Sequence, residues 1–378
     1  MKKKALLWSI LGAGLISLVL AQSSNAGFIQ GTRVRTDNPS PFHVTTSPDG
    51  KLLVVTNQSG HSVTLINAQT KKIIGEIAVE VQPEASVVSR DGRTLYVCNA
   101  ESDNVSVIDI GGKSVKKTIK VGDWPCSVKL SKDGSKAYVV CSGNMWNSVD
   151  IIDTSKNEKV GEIKTSHYGP RDIAISPDGK TGAIINDSVG SINRTVDFVD
   201  LASGRITETR PIHGSANLRG VAYTPDGAFV LVTMEQPKNW LPVCEAENAQ
   251  IFSNNLAVLE TKPGGKVACM PLDEHNNYDG NPYGLAVDPG GKYVYIGIRS
   301  MHRVTILDLA KMTDIVVSSP QEELDDLKND LTLMVDYLVQ RVNVGLGPSS
   351  VCLSPDGKTL YAANYFSNSV SVISTPTD

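Results

Sequence analysis

The chain has 378 residues, 40% hydrophobic and 20% charged, so it is long enough to bury a large core in one or two domains. Its 36 basic and 40 acidic residues leave a net charge of −4, which argues against nucleic acid as the main partner.

Taken in chain order, the first feature is MKKKALLWSILGAGLISLVLAQSSNA, residues 1–26. Three lysines precede an apolar run, and small residues follow it, as in a secretory signal peptide cut after Ser24-Asn25-Ala26. The run is shorter than the ~20 residues of a membrane span, so an uncleaved anchor is the weaker alternative. Cleavage removes three lysines and no acid, leaving 33 basic against 40 acidic residues and a net charge of −7. Residues 27–378 are then expected to form one exported, soluble unit.

The next stretch, FIQGTRVRT (28–36), reads as a strand with no local partner. After it a turn recurs seven times: SPDGK at 47, SRDGR at 89, SKDGS at 131, SPDGK at 176, TPDGA at 224, DPGGK at 288 and SPDGK at 354. Asp bonds its own backbone and Gly supplies the positive φ of a tight turn, while Pro, where present, presets φ. A short strand precedes each turn and two follow it, as in FHVTTS, LLVVTN and SVTLIN of the first copy. A fourth follows in the early copies, as in KKIIGEIAV, SVKKTIKV and EKVGEIK. The turns are 42, 42, 45, 48, 64 and 66 residues apart. A period just above forty with four strands per unit predicts an all-β, seven-bladed β-propeller. The seventh copy has no fourth strand before Asp378, so residues 28–36 are expected to supply it and close the ring.

Two long spacings mark insertions. Residues 235–254 (EQPKNWLPVCEAENAQIFSN) separate the second and third strands of blade five. Asn239, Trp240, Leu241, Glu245, Glu247 and Phe252 make this segment a candidate partner-binding loop, with a cap on its own blade as the alternative. Residues 318–338 (SSPQEELDDLKNDLTLMVDYL) predict one short helix in blade six. Ser319 is the expected N-cap, Pro320 the first helical residue and Glu322 part of a capping box. Leu324, Leu327, Leu331 and Met334 would form its apolar stripe, packed on its own blade or docked on a neighbour.

Candidate chemistry is sparse. All six histidines (His43, His61, His167, His213, His275 and His302) fall near the face carrying the links between second and third strands. None shows metal-ligand spacing, so bulky residues excluded from the inner strands are the plainer account. In DEHNNYDGN (273–281), Asp273 and Asp279 are weak calcium candidates, lacking the glutamate that completes an EF-hand loop. Six cysteines include no C-x-x-C-H and no C-x-x-C, which excludes covalent c-type haem attachment to this chain. Cys126/Cys141 and Cys244/Cys269 are possible disulfides, the first pair only if no register change intervenes. No nucleophile elbow, Walker loop or H-E-x-x-H is present. Counting from the start of each inner strand, Phe42, Glu84, Cys126, Arg171, Arg219, Tyr283 and Ser349 should ring the central channel. There Arg171 and Arg219 either clamp an anion or pair with Glu84, Asp172 or loop acids.

The second-strand motif, VVTN (54–57), YVCN (96–99) and YAAN (361–364), resembles that of the YVTN family of seven-bladed propellers. Within it, the strand VQRVNVG (339–345) after a long late insertion resembles a group fused to, or working beside, di-haem cytochromes of the peroxidase type. That resemblance implies a cofactor-free propeller subunit of an oxidoreductase complex. It places haem c in partner subunits, multihaem c-type cytochromes, whose active site the propeller helps to wall. A stand-alone periplasmic enzyme, or a ligand-binding propeller working through its channel, is the alternative.

Overall fold

The computed structural model describes residues 32–143, 147–187, 193–237, 252–275 and 277–376. The signal segment, Trp146, and Asn239, Trp240, Leu241, Cys244, Glu245 and Glu247 lie outside the described residues. Seven antiparallel sheets of four strands each make up the fold. Blade one runs Pro41–Thr46, Leu52–Asn57, Ser62–Asn67 and Ile73–Ala78 from the channel outward.

The repeated turns explain the regularity. In blade one, Ser47 Oγ donates to Asp49 Oδ1 (2.6 Å), which also accepts from Lys51 N, and Leu52 N donates back to Ser47 Oγ. Gly50 takes φ +70°, a conformation that a side chain would strain. The same Ser–Asp bond recurs at Ser89, Ser131, Ser176 and Ser354, so each hairpin is set by its own turn.

Packing then follows from position in the blade. Second strands such as Leu52–Asn57 are buried along their whole length because neighbouring blades cover both faces. Outer strands such as Ile73–Ala78 alternate exposed residues with half-buried or buried ones near the rim. The asparagine ending several second strands ties them to the third. Asn57 Nδ2 donates to Ser62 Oγ (3.0 Å) and Thr64 Oγ1 (2.8 Å), and Asn99 and Asn364 repeat the arrangement.

The ring closes as the orphan N-terminal strand predicts. Arg33–Arg35 pairs antiparallel with Ser369–Ser374 and becomes the outer strand of blade seven. Thr32 O accepts from Val372 N (3.0 Å), Arg33 Nη2 donates to Val344 O (2.9 Å), and Val34 is buried. Residues 28–31 of that predicted strand lie outside the described residues.

Blade six carries the inserted helix, but earlier in the chain than expected. Helix α1 (Leu309–Ser318) starts directly after the third strand, with Asp308 as N-cap accepting from Lys311 N. Its last turn is met by Lys266 Nζ, which donates to the carbonyls of Val316, Val317 and Ser319, where a cation complements the helix dipole. Residues 318–338 are not one helix. Ser319 is the C-cap of α1, Pro320 precedes a single turn without a side-chain cap (α2, Gln321–Leu324), and Met334–Tyr337 forms another (α3). The one proline and four aspartates of this stretch do not break it by themselves. Its leucines instead follow the surface beneath them, and tertiary packing outweighs the capping signal. Leu324, Met334 and Tyr337 are buried with Met312 and Val316 against Met270 and Leu272 of blade five. Tyr337 Oη donates to Pro271 O (2.6 Å). The apolar stripe is therefore consumed within the molecule, sealing the seam between blades five and six. Among the described residues, no helix is long and apolar enough to cross a membrane.

Candidate functional site

All seven residues expected to ring the channel line one cavity of about 120 Å³ at its mouth. A repeated irregularity marks six of these positions, all but Arg219. In blades one, three, four and seven, register shifts by one residue between the initial proline and the rest of the inner strand. The residue skipped is Phe42, Cys126, Arg171 or Ser349, and such a bulge redirects a side chain away from the ladder. Blades two and six skip two residues, Glu84-Ala85 and Tyr283-Gly284. Neighbouring inner strands approach so closely that a Cβ on Gly284 would lie 2.7 Å from Val351 N. Threonines lock adjacent blades together: Thr56 Oγ1 donates to Glu84 O (2.9 Å) and Thr233 Oγ1 to Tyr283 O (3.1 Å).

The same bulge overturns one possible disulfide. Cys141 pairs with Pro125, whereas Cys126 turns into the channel wall, its thiol 3.2 Å from Arg171 O. Both are free thiols, and burial pushes both above the ordinary thiol range. Cys269 is also free and buried.

The channel mouth is rich in cations. Arg171 Nε lies 3.9 Å from Asp187, beyond hydrogen-bond distance, while Arg194 Nε bonds that carboxylate at 2.6 Å. Asp172 is engaged by Ser127 Oγ (2.5 Å) and Lys129 Nζ (3.7 Å). The Nε atoms of both Arg171 and Arg219 are buried without a hydrogen-bond acceptor among the described residues. Arg219 lies over the ring of Tyr283, 5.3 Å from its centroid. Glu84 accepts from Gln58 Nε2 (3.2 Å), and burial pushes its carboxyl up to about 7, partly offset by Arg171, Gln58, Trp124 and Arg219. His43 is pushed down to about 3 by burial, with Lys129 adding to the effect, and so is neutral.

Sequence reasoning missed the second tier of this mouth. Arg299 lies over Tyr283, Tyr365 and Phe366 at 5.2, 4.9 and 5.4 Å, and Phe42 packs edge-on against Tyr283 and Tyr365. A signal existed. Gln58, Asp187, Arg299 and Tyr365 each directly follow a second strand, and that position meets the ring in the folded blades.

Two other candidate features resolve differently. The carboxylates of the weak calcium loop are bound by protein groups. Asp273 accepts from Asn254 N (2.9 Å) and Asp279 N (2.8 Å), while Asp279 is paired with Arg303 and accepts from Thr305 Oγ1 (2.6 Å). Among the described residues, no group of three or more His, Cys, Asp or Glu is arranged to hold a metal ion. The blade-five insertion is shorter than expected, because both flanking strands continue into it. Glu235 pairs with Asn254, Gln236 with Ser253 and Pro237 with Phe252. Residues 238–251, which join these strands, lie outside the described residues. The three extra pairs raise its base by about 10 Å over the face where the channel opens. Phe252, at that base, is 45% exposed.

Seven four-stranded blades, a cationic and aromatic channel mouth and one raised hairpin define a seven-bladed β-propeller with its distinctive groups gathered on one face. The Cytochrome D1 heme domain family matches residues 48–186. The chain is 68% identical to hydrazine synthase subunit beta of Kuenenia stuttgartiensis over 372 residues, 98% of this chain and 96% of that relative. A solved structure of Kuenenia stuttgartiensis hydrazine synthase superimposes with a TM-score of 0.89 at 66% identity, covering 93% of this chain and all of that one. The chain belongs to the hydrazine synthase subunit beta family.

Proposed function

We propose that this chain is the exported, haem-free propeller subunit of a hydrazine synthase complex that joins nitric oxide and ammonium into hydrazine. The observation that carries this reading is the 68% identity across 98% of the chain. Catalysis falls to partner subunits, multihaem c-type cytochromes. The compartment is periplasm-like, the anammoxosome lumen where such bacteria have one. The chain itself carries no C-x-x-C-H, and the match to the Cytochrome D1 heme domain spans the blade-one turn to the second strand of blade four. We read that match as one of blade architecture.

In this reading the propeller presents a rigid surface, and the blade-five hairpin reaches the partner and helps wall its active site or substrate path. Trp240 is the anchor, with Asn239, Leu241 and Phe252 around it and Glu245 and Glu247 in the polar rim, the arrangement typical of interface hot spots. The extra strand pairs Glu235–Asn254, Gln236–Ser253 and Pro237–Phe252 at the base of the hairpin support this role.

The test replaces residues 238–251 with a short Gly/Ser link in the intact assembly. The propeller should stay folded, because the stem pairs remain, while assembly weakens or hydrazine formation falls. Trp240→Ala alone should weaken partner binding by about 1–3 kcal/mol. Normal assembly and turnover of the shortened protein would reduce the loop to a cap on its own blade. Elution of the native protein as a lone chain would instead remove the subunit reading.

A further inference from the structure

We infer that the channel mouth is a binding site for one small oxyanion, held between the Arg171 and Arg219 guanidinium groups. The inference is independent of the role assigned to the blade-five hairpin.

Three observations converge on it. The cavity of about 120 Å³ has room for roughly four waters at ~30 Å³ each, and so for an anion of a few heavy atoms. Its walls bring Lys129, Arg171 and Arg219 together against Glu84 and Asp172, a cationic excess of one even with both acids ionised. Asp172 is already engaged by Ser127 and Lys129, so it does not neutralise the arginines. Finally, the buried Nε atoms of Arg171 and Arg219 lack an acceptor among the described residues. A buried donor without a partner is costly, and an oxyanion would accept from both.

The geometry also limits the ligand. Tyr283 lies under the Arg219 guanidinium and Phe42 packs against Tyr283, so one wall is aromatic and rigid. Glu84 shares the lining, and its carboxylate, when ionised, disfavours further negative charge in the cavity. These features select a compact anion, planar like nitrate and acetate or tetrahedral like phosphate, over an extended polyanion.

The experiment titrates the purified full-length protein with sodium phosphate, nitrate and acetate at constant ionic strength, read by calorimetry and by thermal melting. At least one should bind saturably with one site per chain and raise the melting temperature. The preferred shape separates planar from tetrahedral ligands. Arg219→Gln and Arg171→Gln should each weaken binding about ten- to a hundredfold, the worth of one charge-assisted hydrogen bond. Should either variant fail to fold, Arg219→Lys, which keeps the charge but not the planar fork, must show weakening of the same kind. No saturable binding by any of the three, or equal binding by wild type and variants, overturns the assignment.

Discussion

Val34 stands directly opposite Val370, so a strand near the start of the chain is the outer partner of the last strand at its end. Both side chains are buried in one cluster with Tyr361 and Val372 of blade seven and Val44 and Val55 of blade one. The seam between first and last blades is thus sealed by residues from the two ends of the sequence.

Closure should therefore be separable from blade folding. Deleting residues 28–36 exposes the edge of Ser369–Ser374, a β-branched strand well suited to pair with another chain. The truncated protein should melt lower and aggregate on heating. Val34→Ala keeps the strand pairing and should cost about 1–2 kcal/mol through lost burial. Chemical denaturation of both variants checks this, and an unchanged melting profile for the deletion would mean that the ring closes without this strand.

A pH effect should arise at Glu84. Burial raises its carboxyl from 4.5 to about 7, so between those values the folded protein holds a proton that the unfolded chain has released. Stability must then fall as pH rises through this window, because the folded state binds more protons there. Glu84→Gln mimics the protonated form. Its melting temperature relative to wild type should be nearly constant below about pH 4.5, climb between 4.5 and about 7, and level off above. A difference independent of pH would show that Glu84 is not the group titrating.

The loop joining blades five and six should behave as an ion-pair clasp rather than a calcium site. Asp279 is fully buried between Arg303 and Arg341. Added calcium or a chelator should leave the melting temperature unchanged. Arg303→Met strands part of that buried charge and should destabilise by about 3–5 kcal/mol, measured by denaturant unfolding. A calcium-dependent rise in melting temperature would reverse the assignment.

Much of this architecture was legible because each turn carries its own instructions. Ser47, Asp49 and Gly50 close their hairpin with bonds spanning five residues or fewer, and comparable chemistry recurs in every blade. Arg171 and Arg219, counted from the start of their inner strands, both line the channel cavity, Arg171 at the bulge that follows Pro170. Helix α1 was missed although Asp308, Leu309, Met312 and Val316 carry an N-cap and a helical spacing. Its isoleucine and paired valines read locally as strand, and only packing against blade five decides for helix.

The sequence by itself determined the number of blades, their hairpins and the need for a strand from elsewhere, since these depend on local turns and on counting. Tertiary structure decided what depends on register and on distant neighbours. A single bulge separates Cys126 from Cys141, and Arg303 claims the carboxylate of Asp279 from another strand. Arg299 reaches the channel mouth across two blades. No local pattern encodes such contacts, because each exists only once the ring has brought residues far apart in the chain within a few ångströms.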